Sequence, residues 1–388
     1  MTYNFDTCPD RRSTESIKWR RYDEDVLPMW VADMDFVSAP AIVDALRSRV
    51  EHGVFGYPST PPEFFELLVE RMAQRYQWEI KTEDIVLIPG VVTGFNLACH
   101  AFAQPGEGVF MQTPVYFPFF GAPKHANLEM QTMQLTREGD GSYSIDFDAF
   151  EAGLTDSTRL FILCNPHNPV GRVFRKDELE RMAEICLRHN VLICSDEIHC
   201  DLVFEGHPHF PIASLSPEIA QRSMTLMAPS KTFNIAGLEC SLAIIQNPEL
   251  RQQYQAADKG LVGWVNLMGQ VAAHAAYRHG QPWLDEALVY LQGNRDYLVD
   301  FVRREMPEIH MASPEGTYLA WLDCREANLP LSPSEFFLQK ARVGLNEGAT
   351  FGPGGEGFVR LNFACPRATL QEGLRRMKAA LDEQRAAR

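Results

Sequence analysis

The chain reads as an α/β protein, with a mainly parallel central sheet flanked by helices and followed by a smaller α+β portion. Three observations predict it. Short β-rich runs alternate with helical patterns through the middle of the chain. Those runs are apolar almost throughout, as strands covered on both faces must be. With 388 residues, 45% hydrophobic and 22% charged, the composition is that of a globular protein long enough for two to three domains of about 150 residues.

In chain order the strand-like runs are Asp84–Pro89, Gly108–Gln112, Arg159–Asn165, Val191–Asp196, Met224–Met227 and Ser241–Gln246, each beside a turn signal or a helical pattern. Between the third and fourth lies Phe174–His189, where Leu179, Met182, Cys186 and, on the adjacent row, Ile185 recur at helical spacing among charges. This strand–helix–strand unit predicts parallel strands joined by a right-handed crossover. Residues 1–40 are irregular and rich in Pro and Trp. Towards the other end, helical stretches Trp283–Met306 and Leu370–Gln384 alternate with short strands Tyr318–Asp323 and Gly357–Asn362. Gly352-Pro-Gly-Gly-Glu-Gly357 fits a G-x-G-x-x-G pattern in letters alone. No apolar strand leads into it and no helical pattern follows, so it reads as a turn.

Thirty-six Lys and Arg against 51 Asp and Glu leave a net charge of −15. That balance repels a phosphate backbone or an anionic membrane and sets nucleic-acid binding aside. No stretch approaches 18 uninterrupted apolar residues, and Met1 to Arg21 is polar instead of an apolar export segment, so a cytoplasmic protein is expected. Nine cysteines, with no Cys-x-x-Cys and mostly inside apolar runs such as Phe161–Cys164 and Val191–Cys194, read as buried and reduced. No metal site is expected. His207-x-His209 lies in a Pro/Gly loop with no Cys or carboxylate at ligand spacing and reads as a surface loop.

Four segments place polar groups where a buried strand ends, the position at which α/β sheets bind ligands. They are Pro89–Gly94, Asn165–Gly171, Ser195–His199 and Pro229–Leu238. Each has an ordinary reading by itself. Gly90 and Gly94 suit any strand-to-helix turn, although free N–H groups ahead of an apolar helix over Phe95–Phe102 also suit a phosphate. Asn-Pro favours turns. Asp196 can cap the next segment, yet an acid closing an apolar strand requires a cationic partner when buried. Lys231 is either a solvated cation or, partly buried, an amine that loses its proton readily and becomes a nucleophile.

Together, and in this order, Asn165-Pro-His-Asn-Pro-Val-Gly171, Ser195-Asp-Glu-Ile198 and Ser230-Lys-Thr-Phe-Asn-Ile-Ala-Gly237 resemble the motifs of fold-type I pyridoxal-phosphate enzymes of the aspartate-aminotransferase class. The resemblance extends from the N-terminal arm to Arg360-Leu-Asn-Phe363. Leu27–Phe36, Phe55-Gly-Tyr57 and Asp196–His199 are similar to the cystathionine β-lyase or cysteine C–S lyase branch. The implied fold is that of the PLP-dependent transferases, with 1–45 as an arm belonging to the small domain, 46–284 as the large cofactor-binding domain and 285–388 as the small domain.

The resemblance implies pyridoxal 5'-phosphate as cofactor. Lys231 would link to its aldehyde and, once displaced, take the Cα proton of the substrate. Asp196 would pair with the ring nitrogen, Asn168 donate to the ring 3′-oxygen, and Tyr116, counted among the catalytic residues, stack on the ring. His199 stands where ordinary aminotransferases carry a tyrosine and counts as a cofactor contact. Glu239 and Ala228 stand where those enzymes carry an arginine and a serine for the phosphate, which therefore leans on Val91, Val92, Thr93 and Ser230. Arg360 matches the clamp on the substrate α-carboxylate. Asn168, Trp30 and Ala32 complete the substrate side, although Trp30 equally reads as an anchor for the arm.

Tyr57 resembles a tyrosine that reaches across a dimer interface, which implies a homodimer with composite sites; its Phe-Gly-Tyr-Pro context also suits a packed turn. The implied reaction is β-elimination of a cysteine S-conjugate to a thiol, pyruvate and ammonia. Transamination of an amino acid at the same site is the rival reading. A non-catalytic regulatory protein on the same fold is the third, and the joint presence of Lys231, Asp196, Asn168 and Arg360 speaks against it.

Overall fold

The computed structural model describes residues 2–387. Its main sheet has seven strands: β1 (Ile85–Ile88), β2 (Gly108–Thr113), β3 (Glu129–Gln134), β4 (Thr158–Cys164), β5 (Leu192–Asp196), β6 (Ser223–Met227) and β7 (Ser241–Ile244). They lie in the order β1-β7-β6-β5-β4-β2-β3. Neighbours from β6 to β3 pair in parallel, and β7 runs against both of its neighbours. The six expected runs are all strands. The addition is β3, an edge strand with most of its residues exposed, so its sequence carries no apolar signal.

Six helices bear on the site: α1 (Pro62–Tyr76), α2 (Val91–Phe102), α3 (Lys176–Arg188), α4 (Pro229–Thr232), α5 (Gln281–Glu305) and α6 (Arg367–Ala386). As its spacing predicts, α3 buries Leu179, Met182, Ile185 and Cys186. It is held at its start by Glu178, whose carboxylate accepts from the Arg175 N–H at 2.9 Å. One boundary differs from expectation. The helix expected from Phe95 begins at Val91, directly after Gly90 at φ 101°. Gly94 therefore lies inside α2, where an added Cβ would stand 2.6 Å from Ile88 Cδ1 and 2.8 Å from Leu226 Cδ2. Its lack of a side chain lets α2 settle on β1 and β6.

The register of β4 on β5 runs from Leu160↔Leu192 to Cys164↔Asp196, so the two strands end level. The Asn165 N–H then donates to the Asp196 carbonyl at 3.0 Å. A second sheet, β8 (Leu319–Asp323), β9 (Asn346–Glu347) and β10 (Phe358–Asn362), is antiparallel with β10 in the middle. Leu291 and Leu298 of α5 and Leu374 and Met377 of α6 share one buried cluster with Leu319 and Leu361 of this sheet. Gly352–Gly357 forms turns leading into β10, as its sequence indicates. All nine cysteines are free and eight are buried. Among the described residues no helix is long and apolar enough to cross a membrane.

Candidate active site

The carboxyl ends of five strands converge on a cavity of about 330 Å³. Val91, Val92 and Thr93 reach it from the start of α2, Tyr116 from the turn after β2, and Asn168 from the loop after β4. Asp196 and His199 follow β5, and Ser230 and Lys231 come from α4 after β6. Arg360 on β10 and Trp30 and Ala32 of the arm close the opposite wall. The expected residues therefore meet in one place, with one exception. Tyr57 is 92% exposed, its ring against Trp264 at 5.6 Å, and it does not line the cavity of its own chain.

Nearly 200 residues separate the arm from Lys231, and two asparagines bring them together. Asn234, three residues after the lysine, donates to the Met34 and Phe36 carbonyls at 3.0 and 2.8 Å and accepts from the Met34 N–H at 2.9 Å. Asn362, two residues after Arg360, donates to the Val31 and Asp33 carbonyls at 2.7 and 2.6 Å. Behind them Asp35 is buried against Lys18 Nζ at 2.9 Å and Trp19 Nε1 at 2.8 Å. The Ala32 carbonyl is thus fixed where Lys231 Nζ donates to it at 2.7 Å and the Tyr318 hydroxyl at 3.0 Å.

Burial, reinforced by the positive charge of Arg360, pulls the Lys231 ammonium down to about 8, so roughly a tenth of the amine is neutral at pH 7 and more as pH rises. Burial likewise pushes Asp196 up to about 7, with the Ile198 N–H at 3.1 Å its sole hydrogen-bond donor among the described residues. His199 is held down to about 3 by burial, Lys231 and Arg360, and is neutral. Its Nδ1 is buried without a partner among the described residues. Arg360 is 2% exposed and donates only to neutral oxygens: Asn168 Oδ1 at 2.9 Å, the Trp30 carbonyl at 3.0 Å and Asn346 Oδ1 at 2.7 Å.

A buried carboxylate without a cation and a buried guanidinium without an acid are both costly unless a ligand completes them. This donor set fits pyridoxal phosphate. Asp196 requires a cation such as a protonated ring nitrogen. The start of α2, with no side-chain cap, offers N–H groups to a phosphate beside the Ser230 hydroxyl. Lys231 offers an amine to an aldehyde. Arg360, with no acid beside it among the described residues, could hold a carboxylate.

Asp196 makes no direct ion pair among the described residues, and Lys231 acts on it only through its charge at longer range. One sequence-based expectation is corrected here. His209, expected on a surface loop, is buried, its Nε2 2.7 Å from Glu197 Oε2. Glu197 also accepts from Ser195 Oγ at 2.9 Å and the Ile212 N–H at 3.1 Å, so it anchors the segment that carries Asp196.

Other contributors went unnoticed in the sequence. Asn346 sits in a featureless stretch, and Tyr318 opens an expected strand without any motif around it. Asp201 lies two residues past His199 and is 2% exposed. It takes Arg71 at 2.8 Å and Arg75 at 2.6 Å from α1, the Tyr76 hydroxyl at 2.9 Å and Thr232 Oγ1 at 3.3 Å. Burial alone would raise Asp201, but Arg71 and Arg75 hold it down to about 2. It ties the residue next to Lys231 to α1.

Residues 24–377 match the family described as Aminotransferase class I and II. The chain is 44% identical to "Cystathionine beta-lyase PatB" of Bacillus subtilis over 97% of its own length and 100% of that protein's. The crystal structure of OvoB superposes with a TM-score of 0.93 at 47% identity, covering 98% of this chain and 99% of that one. The PLP-bound C–S lyase from Staphylococcus hominis superposes with a TM-score of 0.93 at 35% identity over the same shares. The chain belongs to the class I and II aminotransferases, a family of pyridoxal-phosphate-dependent enzymes, within its branch of cystathionine β-lyases and C–S lyases.

Proposed function

We propose that the chain is a β-eliminating carbon–sulfur lyase that converts cystathionine or a related cysteine S-conjugate to a thiol, pyruvate and ammonia. The observation that carries this reading is the pairing, across one cavity, of an Arg360 guanidinium free of any acid and a Lys231 amine held only by a carbonyl. The relatives named as cystathionine β-lyases and C–S lyases support the choice of reaction.

Arg360 grips the α-carboxylate with its planar fork and orients the amino acid. Asp196 keeps a proton on the ring nitrogen of the cofactor. Pyridoxal phosphate, when bound, supplies the electron sink that makes the Cα proton acidic. Lys231 Nζ takes that proton. The Cβ–S bond then breaks, sulfur leaves with the bonding pair and is protonated to the thiol, and the three-carbon remainder takes up one water and departs as pyruvate and ammonia.

The protein loaded with pyridoxal phosphate and given cystathionine, without any keto acid, should release thiol, pyruvate and ammonia in equal amounts. Turnover that requires an added keto acid refutes elimination and makes the protein an aminotransferase. No turnover and no cofactor band leaves a regulatory role.

The protein is also read as a homodimer. Val54, Phe55, Tyr57, Leu261 and Trp264 are all exposed, and such an apolar surface supports association of two copies with Tyr57 completing the neighbouring site. Nine free thiols, eight of them buried, support a reducing, cytoplasmic location.

A further inference from the structure

Tyr116 and Asn168 reach the cavity from segments that the main sheet no longer holds together. The β2–β4 ladder ends at Met111↔Ile162, before either residue. Beyond it the turn with Tyr116 and the loop with Asn168 run separately. The His167 imidazole lies between them and is 0% exposed. Its Nε2 stands 2.8 Å from the Pro114 carbonyl oxygen, and its Nδ1 3.2 Å from that of Cys164, the last residue of β4. Among the described residues no other hydrogen bond joins residues 114–120 to residues 165–172.

The two ends of this link differ. On the loop side the His167 N–H donates to the Arg172 carbonyl at 2.7 Å, and the His167 carbonyl accepts from the Gly171 N–H at 2.8 Å. The Asn168 N–H meets Cys164 Sγ at 3.5 Å and Asn168 Oδ1 accepts from Arg360 at 2.9 Å, so Asn168 has anchors of its own. Tyr116 has fewer. Its ring touches Phe117 and Phe119 edge-on or tilted, and its hydroxyl makes no hydrogen bond among the described residues. Where that ring stands therefore depends on the main chain of its turn, which is tied by the Val115 N–H to the Phe351 carbonyl at 2.9 Å and by the Pro114 carbonyl to His167.

Burial, with the charge of Arg172 adding to it, holds the His167 imidazole down to about 4, so the ring is neutral and carries one N–H. The shorter contact takes that hydrogen, and the Nδ1 lone pair is left facing the Cys164 carbonyl. A ring that can satisfy only one of two buried polar contacts is a poor filler of space. What it contributes is the bond to Pro114.

We infer that His167 is a positioning residue, which holds Tyr116 over the cofactor ring by fixing the turn after β2 to the loop that carries Asn168. The inference rests on the stacking role proposed for Tyr116, and on the lyase reading only for the reaction it serves. Neither the sequence motifs nor the comparisons with relatives assign this imidazole a role.

Glutamine can place its amide nitrogen where Nε2 stands, and asparagine only where Nδ1 stands, so the first keeps the bond to Pro114 and the second loses it. Stripped protein is titrated with pyridoxal phosphate and followed by absorbance and by the circular dichroism of the bound cofactor, which depends on a fixed aromatic ring beside it. His167→Asn should raise the dissociation constant about fivefold, the worth of one neutral hydrogen bond, and weaken the dichroism. His167→Gln should stay within about twofold of the wild type. In a Tyr116→Ala background, His167→Asn should cost less than about twofold, because the residue it acts through is gone. An undiminished cost in that background, or Asn and Gln variants that behave alike, overturns the role. Should His167→Asn fail to fold, the Gln variant decides alone: agreement with the wild type upholds the link, and a loss of about fivefold or more overturns it. None of these readouts requires turnover. Failure of the lyase reading appears separately, as no keto-acid-independent pyruvate from the wild type.

Discussion

Replacing Asp196 by asparagine separates a ligand-completing acid from a structural cap by the sign of its effect on stability. In the cofactor-free protein burial lifts this carboxyl from 3.8 to about 7. The folded state therefore holds its proton more tightly than the unfolded chain does. The resulting penalty is absent below pH 3.8, grows as pH rises and is complete above about pH 7. At about 1.36 kcal/mol per pH unit it reaches roughly 4 kcal/mol. Asparagine keeps the shape and can still accept from Ile198 but carries no charge. Cofactor-free Asp196→Asn should thus be more stable than the wild type at pH 8, and the difference should shrink as pH falls towards 4. With an unfolding entropy of about 2.1 cal/mol/K per residue, the gain corresponds to a melting temperature higher by about 5 °C.

Loaded with pyridoxal phosphate the order should reverse, because only the carboxylate pairs with a protonated ring nitrogen. Turnover should then fall roughly 100-fold or more. Thermal denaturation of stripped and loaded protein from pH 4 to 8 reads all of this. A stripped variant less stable than the wild type at pH 8, with normal turnover when loaded, would mean that Asp196 merely caps the Ile198 N–H.

Lys231→Ala should lose nearly all turnover and the absorbance of lysine-linked cofactor; borohydride reduction of the wild type followed by peptide mapping should label Lys231, and label on any other lysine removes the assignment. Arg360→Lys should lower kcat/KM roughly 10- to 100-fold, the worth of a lost charge-assisted hydrogen bond, while cofactor affinity stays close to wild type; equal losses in both measurements indicate a structural role. Asp201→Asn leaves the buried Arg71 and the half-buried Arg75 without their acid and should cost about 3–5 kcal/mol in denaturant unfolding. Because the Asp201 carboxyl is held down to about 2, the wild type should keep this stabilisation above pH 3.8 and lose it as pH falls towards 2. Mixed dimers of inactive Lys231→Ala and damaged Tyr57→Phe chains should regain some activity, since one site then carries both residues. Confirmed subunit exchange without recovery rejects the shared site.

What the sequence by itself determined was local. Apolar runs such as Thr158–Cys164 become strands wherever they are covered, the 3.6-residue recurrence in α3 defines its buried face, and turn-forming Asn, Pro and Gly mark the strand ends where Asn168, Asp196 and Lys231 stand. These signals act within a few residues, so they survive without knowledge of the rest of the chain. The tertiary structure alone decided which groups find a partner. It brings Ala32 onto Lys231, buries His209 against Glu197, and leaves Asp196 without a direct ion pair and Arg360 without an acid among the described residues. It sets His167 between Pro114 and Cys164 and keeps Tyr57 out of its own cavity. Each of these depends on which strand ends meet and on what the fold removes from water, and residues 200 apart exert no influence on each other until the sheet has closed the distance between them.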